Sequence, residues 1–189
     1  MKLPFFAGCL VGAIGLFATL ILVGLVFKGQ LIKNKTDQLH PAIEGGGEAV
    51  YTWQVESLDG SSFDMAQTKG KALFLNFWRP SCMSCLAELP TVNGLYHQVA
   101  GENVVFMSIA LDNFDELPFL VEDAKLDFPV FKSDASYPEE YHLTKTPTTL
   151  IIAPNGAIVF RHEGAARWDV PGAVALLKSL ASEPAPASP

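Results

Sequence analysis

Apolar positions along this chain fall into two regimes. From Phe5 to Phe27 no residue carries a charge, whereas beyond Gly47 the apolar residues come in short runs separated by polar, turn-rich segments. The first regime reads as a membrane span. At about 1.5 Å per residue, a helix over Phe5–Phe27 is about 34 Å long, enough to cross a bilayer. Gly8, Gly12 and Gly15 lie at near-helical spacing and suit a helix-packing face.

The second regime predicts alternating strands and helices. Gln30–Gly47 is polar, contains His40-Pro41 and ends in three glycines, as a linker does. Tyr51–Leu58 is β-prone and runs into the turn Asp59-Gly60, with a short strand expected at Phe63–Met65. Ala72–Trp78 is almost wholly apolar, the pattern of a strand buried on both faces. A helix should follow over Cys82–Val99, kinked or broken near Pro90 because proline lacks a backbone donor. Val104–Leu111 reads as the next buried strand and Asp115–Lys125 as a helix, with Pro118 in its first turn. A short strand at Phe128–Phe131 and a helical turn at Pro138–Leu143 come next. Thr148–Ala153 and Ala157–His162 are strands joined by Pro154-Asn155-Gly156, a hairpin signal, and Val170–Ser182 is the last helix.

These elements predict an α/β fold whose central mixed sheet carries helices on both faces. Residues 1–29 form an N-terminal anchor, 30–47 a linker, 48–182 one domain, and 183–189 a proline-rich disordered tail.

Candidate chemistry centres on Cys82 and Cys85, placed directly after the apolar run Ala72–Phe77. A thiol at a helix N-terminus meets unpaired backbone N–H groups and the positive end of the helix dipole, both of which favour the thiolate. The thiolate is the form that attacks a disulfide, and a second thiol three residues on can close the ring. A zinc ribbon would need a second pair of ligands. The third cysteine, Cys9, lies in the apolar segment, and His40, His97, His142 and His162 are scattered. A Cu(I) carrier is the alternative from another class: paired thiolates hold a soft cation, with His142 or His162 as third ligand. No cofactor is called for by thiol exchange.

Composition narrows the setting. The 189 residues carry a formal net charge of −7, and four of the thirteen basic residues precede Pro41. No basic patch interleaved with aromatics appears, which argues against a nucleic-acid partner. The apolar core ends in Leu25-Val26-Phe27-Lys28 without a small-x-small cleavage site, which argues for a retained span. Too little apolar sequence precedes Phe6-Ala7-Gly8-Cys9 for a lipoprotein signal, so Cys9 reads as an intramembrane residue. Lys28, Lys33 and Lys35 follow the span and only Lys2 precedes it, a balance that slightly opposes a cytoplasmic N-terminus. A tethered dithiol nevertheless belongs where disulfides persist, so the domain is expected to face the periplasm or cell exterior from the inner membrane.

Asn76-Phe77-Trp78-x-x-x-Cys82-x-x-Cys85-x-x-Glu88-x-Pro90, with Thr146-Pro147-Thr148-Thr149 and Pro154-Asn155-Gly156 later, resembles the membrane-anchored TlpA/ResA-like branch of the thioredoxin superfamily. The resemblance spans Val50 to Ser182 and implies a thioredoxin-like fold with an added N-terminal hairpin and a helical insertion. It implies a thiol–disulfide oxidoreductase, usually a reductant outside the cytoplasm, in some members serving cytochrome c maturation or copper-site assembly. The implied partners are a protein disulfide substrate and a membrane-bound electron donor. Cys82 would be the nucleophile, Cys85 the resolving thiol and Pro147 a cis-proline, with Thr146, Pro147 and Trp78 meeting the substrate. Glu88 would take the proton-accepting role of the buried aspartate that many thioredoxins carry at the position of Asn76. The chain departs from the branch at Ser81, usually Trp, at Ser84, usually Pro, and at Arg79-Pro80. Ser81 is expected to cap the helix and Arg79 to add positive potential near Cys82. A peroxidase of the peroxiredoxin type would place Thr or Ser where Arg79 stands.

Overall fold

The structure is a computed structural model and describes residues 46–99, 101–112, 114–133 and 137–184. The expected span at Phe5–Phe27, most of the linker and residues 185–189 of the proline-rich tail lie outside these residues. Among the described residues no helix is long and apolar enough to cross a membrane.

Among the described residues seven strands form one sheet in the order β2-β1-β5-β4-β3-β6-β7. They are β1 (Gln54–Ser57), β2 (Ser62–Asp64), β3 (Ala72–Trp78), β4 (Val104–Ala110), β5 (Val130–Lys132), β6 (Thr148–Ile152) and β7 (Ile158–Glu163). Among the described residues three α-helices alternate with them: α1 (Met83–Val99), α2 (Leu117–Asp123) and α3 (Pro171–Ala181). β3 runs parallel to β4, and β4 to β5; β6 and β7 turn back antiparallel beside β3, and the β1–β2 hairpin joins antiparallel at β5. The sheet is therefore mixed, as the sequence predicts, with the added N-terminal hairpin at one end.

β3 occupies the middle of the sheet and is buried along its whole length. Its alternation divides the core, since successive side chains leave opposite faces. Phe74 and Trp78 join Cys85, Leu89, Val92, Leu117 and Leu177 on one side. Leu73, Leu75 and Phe77 join Trp53, Met65 and Tyr141 on the other. The helices that flank the sheet are shared unequally between its faces. Among the described residues all three α-helices feed the first cluster, and 3-10 turns at Met65–Thr68 and Glu139–Tyr141 help to cover the second. Those turns are too short to show a helical apolar period. Their buried anchors, Met65 and Tyr141, do the covering instead.

Two features fix the site's frame. Helix α1 continues through Pro90 rather than ending there; Pro90 is exposed, and the carbonyl freed one turn earlier is the only helical bond a proline removes. The loop before β6 is held from β7: Arg161 donates to the carbonyls of Tyr141 at 2.7 Å and His142 at 2.8 Å, and Glu163 accepts from the Thr144 hydroxyl at 2.8 Å.

Candidate active site

Strand β3 ends at Trp78 and α1 begins at Met83, which makes Cys82 the capping residue of the helix. Its carbonyl accepts the first helical bond, from the Leu86 N–H at 3.1 Å. Its Sγ accepts the Cys85 N–H at 3.2 Å, the bond an N-cap side chain makes to the third helical residue. Ser81, expected to cap, does not. Its hydroxyl lies 3.5 Å from Asp112 instead. The Arg79 guanidinium likewise turns to Asp112, 3.4 Å away, so its charge is met by a carboxylate rather than aimed alone at Cys82.

Cys82 and Cys85 are joined as a disulfide. Cys82 is half-buried and Cys85 fully buried, so an incoming thiol or disulfide meets Cys82. The Ser84 hydroxyl lies 3.2 Å from Cys82 Sγ. A disulfide sulfur has no hydrogen to give, so the hydroxyl is the donor. Beside the pair, Met83 is 79 % exposed, a large apolar side chain at the mouth of the site.

The Thr146–Pro147 peptide bond is cis, as the sequence predicts. The Thr146 carbonyl oxygen lies 3.7 Å from Cys82 Sγ, which places this loop against the exposed sulfur. Pro147 is buried, with its carbonyl accepting the Gly164 N–H at 2.8 Å. Trp78 differs from expectation. It is fully buried within the helix-bearing core and has no surface to offer a substrate, because the inward face of β3 carries it under α1. The wall it forms supports the cysteine loop from below.

Glu88, one helical turn beyond Cys85, is only 2 % exposed and is the one buried charged residue of the described chain. Its Oε1 accepts from Asn76 Nδ2 at 3.0 Å. Its Oε2 accepts from the Ala166 N–H at 3.1 Å and the Trp168 indole N–H at 3.2 Å. Burial pushes the carboxyl up from 4.5 to about 7, against these three hydrogen bonds, which favour the anion. Thr91 ties the same loop to α1, accepting the Trp168 backbone N–H at 3.1 Å and donating to the Glu88 carbonyl at 2.8 Å. Sequence reasoning missed Trp168. It sits eighty positions from Glu88, in a segment with no motif, and only the packing of the β7–α3 loop on α1 brings them together.

Among the described residues no group of three or more His, Cys, Asp or Glu side chains is placed to hold a metal ion. His142 is exposed, in a left-handed backbone conformation, and the His162 ring packs on Trp168 at 6.0 Å. Neither joins the cysteine pair as a third copper ligand.

The model of the AhpC/TSA family matches residues 47–161. The chain belongs to that family. Among curated relatives, the thiol-disulfide oxidoreductase ResA of Halalkalibacterium halodurans is 31 % identical over 121 residues, covering 62 % of this chain and 68 % of the relative. ResA of Bacillus subtilis is 28 % identical over 148 residues, covering 74 % and 79 %. Among solved structures, MTB DsbF aligns with a TM-score of 0.60 at 24 % identity, over 69 % of this chain and 96 % of that one. StoA from Bacillus subtilis aligns with a TM-score of 0.56 at 23 % identity, over 70 % and 98 %. The fold is thus thioredoxin-like, and this AhpC/TSA member is a thiol–disulfide oxidoreductase of the ResA type.

Proposed function

We propose that this protein is a disulfide reductase, anchored in the inner membrane by Phe5–Phe27, with its thioredoxin-like domain outside the cytoplasm. The observation that carries the chemistry is the asymmetry of the pair: Cys82 reachable and capping α1, Cys85 buried one turn from a buried Glu88. In the reduced enzyme the Cys82 thiolate attacks one sulfur of a substrate disulfide, and the other leaves as a thiolate. Cys85 then gives its proton to the Glu88 carboxylate and, as a thiolate, attacks Cys82 Sγ. The substrate leaves carrying two more electrons, and the enzyme holds the disulfide. A membrane-bound electron donor returns the two electrons for the next cycle. An incoming chain would lie along Thr146 and Pro147, pairing with the Thr146 backbone as a short added strand.

The AhpC/TSA family name does not itself require peroxide chemistry. Arg79 stands where a peroxidatic site would need a hydroxyl, which favours disulfide exchange. Thiol trapping in growing cells tests the direction: a mostly reduced Cys82–Cys85 pair is expected, and a mostly oxidised pair would make the enzyme an oxidant of substrate thiols. A reporter active only after export, fused after His40, tests the location; an expressed but inactive fusion would place the domain inside.

A further inference from the structure

The hydrogen bonds around Glu88 are not equally reversible. Oε2 faces a backbone N–H and an indole N–H, which can only donate. A proton on Oε2 would point at two hydrogens. Oε1 faces Asn76 Nδ2 alone, at 3.0 Å. A proton there meets an amide NH2, again hydrogen against hydrogen, unless the amide turns over and presents Oδ1.

Asn76 is surrounded by groups that permit this. Its Nδ2 also donates to the Thr149 hydroxyl at 2.9 Å, and its Oδ1 lies 3.5 Å from the Ser108 hydroxyl, which donates to it. A hydroxyl can donate or accept. Asn76, Ser108 and Thr149 are each no more than 2 % exposed, so no solvent is at hand to mend a mismatched bond. We infer that Asn76 positions Glu88 for reversible proton storage: its amide turns over when Glu88 takes a proton on Oε1, and Thr149 and Ser108 reverse with it. After turnover the Glu88 O–H and the Thr149 O–H donate to Oδ1, and Nδ2 donates to the Ser108 hydroxyl. In both states each of these contacts sets a donor against an acceptor. An aspartate at this position would bring a second buried carboxylate to Glu88, and an apolar residue would leave Oε1 unpaired.

The inference rests on Glu88 as the proton acceptor of the proposed cycle, but its test does not. Among the described residues, titratable or charged groups on the elements packed against Glu88 are these. On α1 there is Cys85, silent while oxidised. On β7 there is His162, packed on Trp168. The adjoining loop carries Arg167 and Asp169, paired with each other at 2.6 Å. β3, β4 and β6 contribute the uncharged Asn76, Ser108 and Thr149.

The experiment follows the Asn76 side-chain amide by nuclear magnetic resonance in the oxidised full-length protein, where no active-site thiol titrates. On acidification its amide hydrogens should lose proximity to Glu88 and Thr149 and gain it to Ser108, with the midpoint of the Glu88 carboxyl carbon. Glu88→Gln should hold Asn76 in the turned state at every pH, since its side-chain NH2 donates where the acid proton did. Glu88 titrating with a fixed Asn76, or an Asn76 transition abolished by His162→Gln, would overturn the inference. Turnover observed in a protein whose Glu88→Gln variant resolves mixed disulfides at the wild-type rate would sink the catalytic reading and leave this one standing.

Discussion

Replacing Glu88 by Gln removes the buried carboxyl beneath the cysteine pair while keeping its shape. Gln can offer its oxygen to the Ala166 and Trp168 donors and its NH2 to a turned Asn76, so the variant should fold. In the native protein the Glu88 carboxyl is raised from 4.5 to about 7, chiefly by burial. The fold therefore favours the neutral form. Its stabilising contribution is fully present below the unfolded value of about 4.5 and is lost as pH rises through about 7. At about 1.4 kcal/mol for each unit of pH, the native protein should lose about 3 kcal/mol of stability across that window. Glu88→Gln stays neutral and should lose none of it. Urea unfolding of both oxidised proteins from about pH 4 to pH 8.5 measures the difference directly, and the shared surface carboxylates cancel on subtraction. The variant should gain on the native protein between about pH 4.5 and 7 and hold that gain above it. In mixed-disulfide kinetics the same substitution should slow resolution by Cys85 about tenfold, because the resolving thiol has lost its proton acceptor, and leave the first attack by Cys82 unchanged. Parallel stability profiles at every pH would refute the buried-carboxyl argument, and equal resolution rates would refute its catalytic half.

Cys85→Ser should accumulate mixed disulfides through Cys82, seen as adducts on non-reducing gels, whereas Cys82→Ser should accumulate none; the reverse pattern would invert the roles of the pair. Ser84→Ala removes a hydroxyl donor to Cys82 Sγ and should raise the thiol midpoint by roughly half to one pH unit in ultraviolet thiolate titrations, with no change if the hydroxyl turns away on reduction. Trp168→Phe deletes one of the donors favouring the Glu88 anion, so the Glu88 carboxyl should titrate about one unit higher by carbon resonance. An unmoved midpoint would mean that Ala166 and Asn76 suffice.

Local patterns carried most of the fold. Ala72–Trp78 was expected as a strand buried on both faces and occupies those residues, because a strand covered above and below has no polar positions to blur its ends. The β6–β7 hairpin follows from Pro154-Asn155-Gly156, where Gly156 takes the positive φ of 91° that the turn requires. The cis bond before Pro147 was legible through the family resemblance, from the motif Thr146-Pro147-Thr148-Thr149. What could not be read was long-range. Arg79 and Ser81 both turn to Asp112, over thirty positions away, since the end of β4 lies beside the cysteine loop. Trp78 looked available in a motif and proved to be core, because the pleat decides which side of β3 faces α1. Glu88 was placed on the Cys85 face by helical spacing alone, but its depth depends on the β7–α3 loop that closes over it.

The two sulfurs are separated in environment more than in space. Cys82 sits where three features meet: the backbone N–H of Cys85, the Ser84 hydroxyl and the open end of α1. Each favours negative charge on an accessible sulfur. Cys85 is enclosed by apolar neighbours, which oppose its ionisation until a base draws the proton away. Glu88 can do so only if it is poised, neither a carboxylate fully secured by donors nor a permanently neutral acid. Burial and the three hydrogen bonds pull it in opposite directions and leave it near neutrality. Carrying the carboxyl on α1, with a neutral amide at Asn76 on β3, puts base and resolving thiol on one rigid helix, a turn apart. Their separation then survives movements of the sheet, while the surrounding hydroxyls and amide adjust to whichever state the proton dictates. Ordered attack follows from that difference: the exposed thiolate reacts first, and the buried thiol is released to act only when its neighbour can accept the proton.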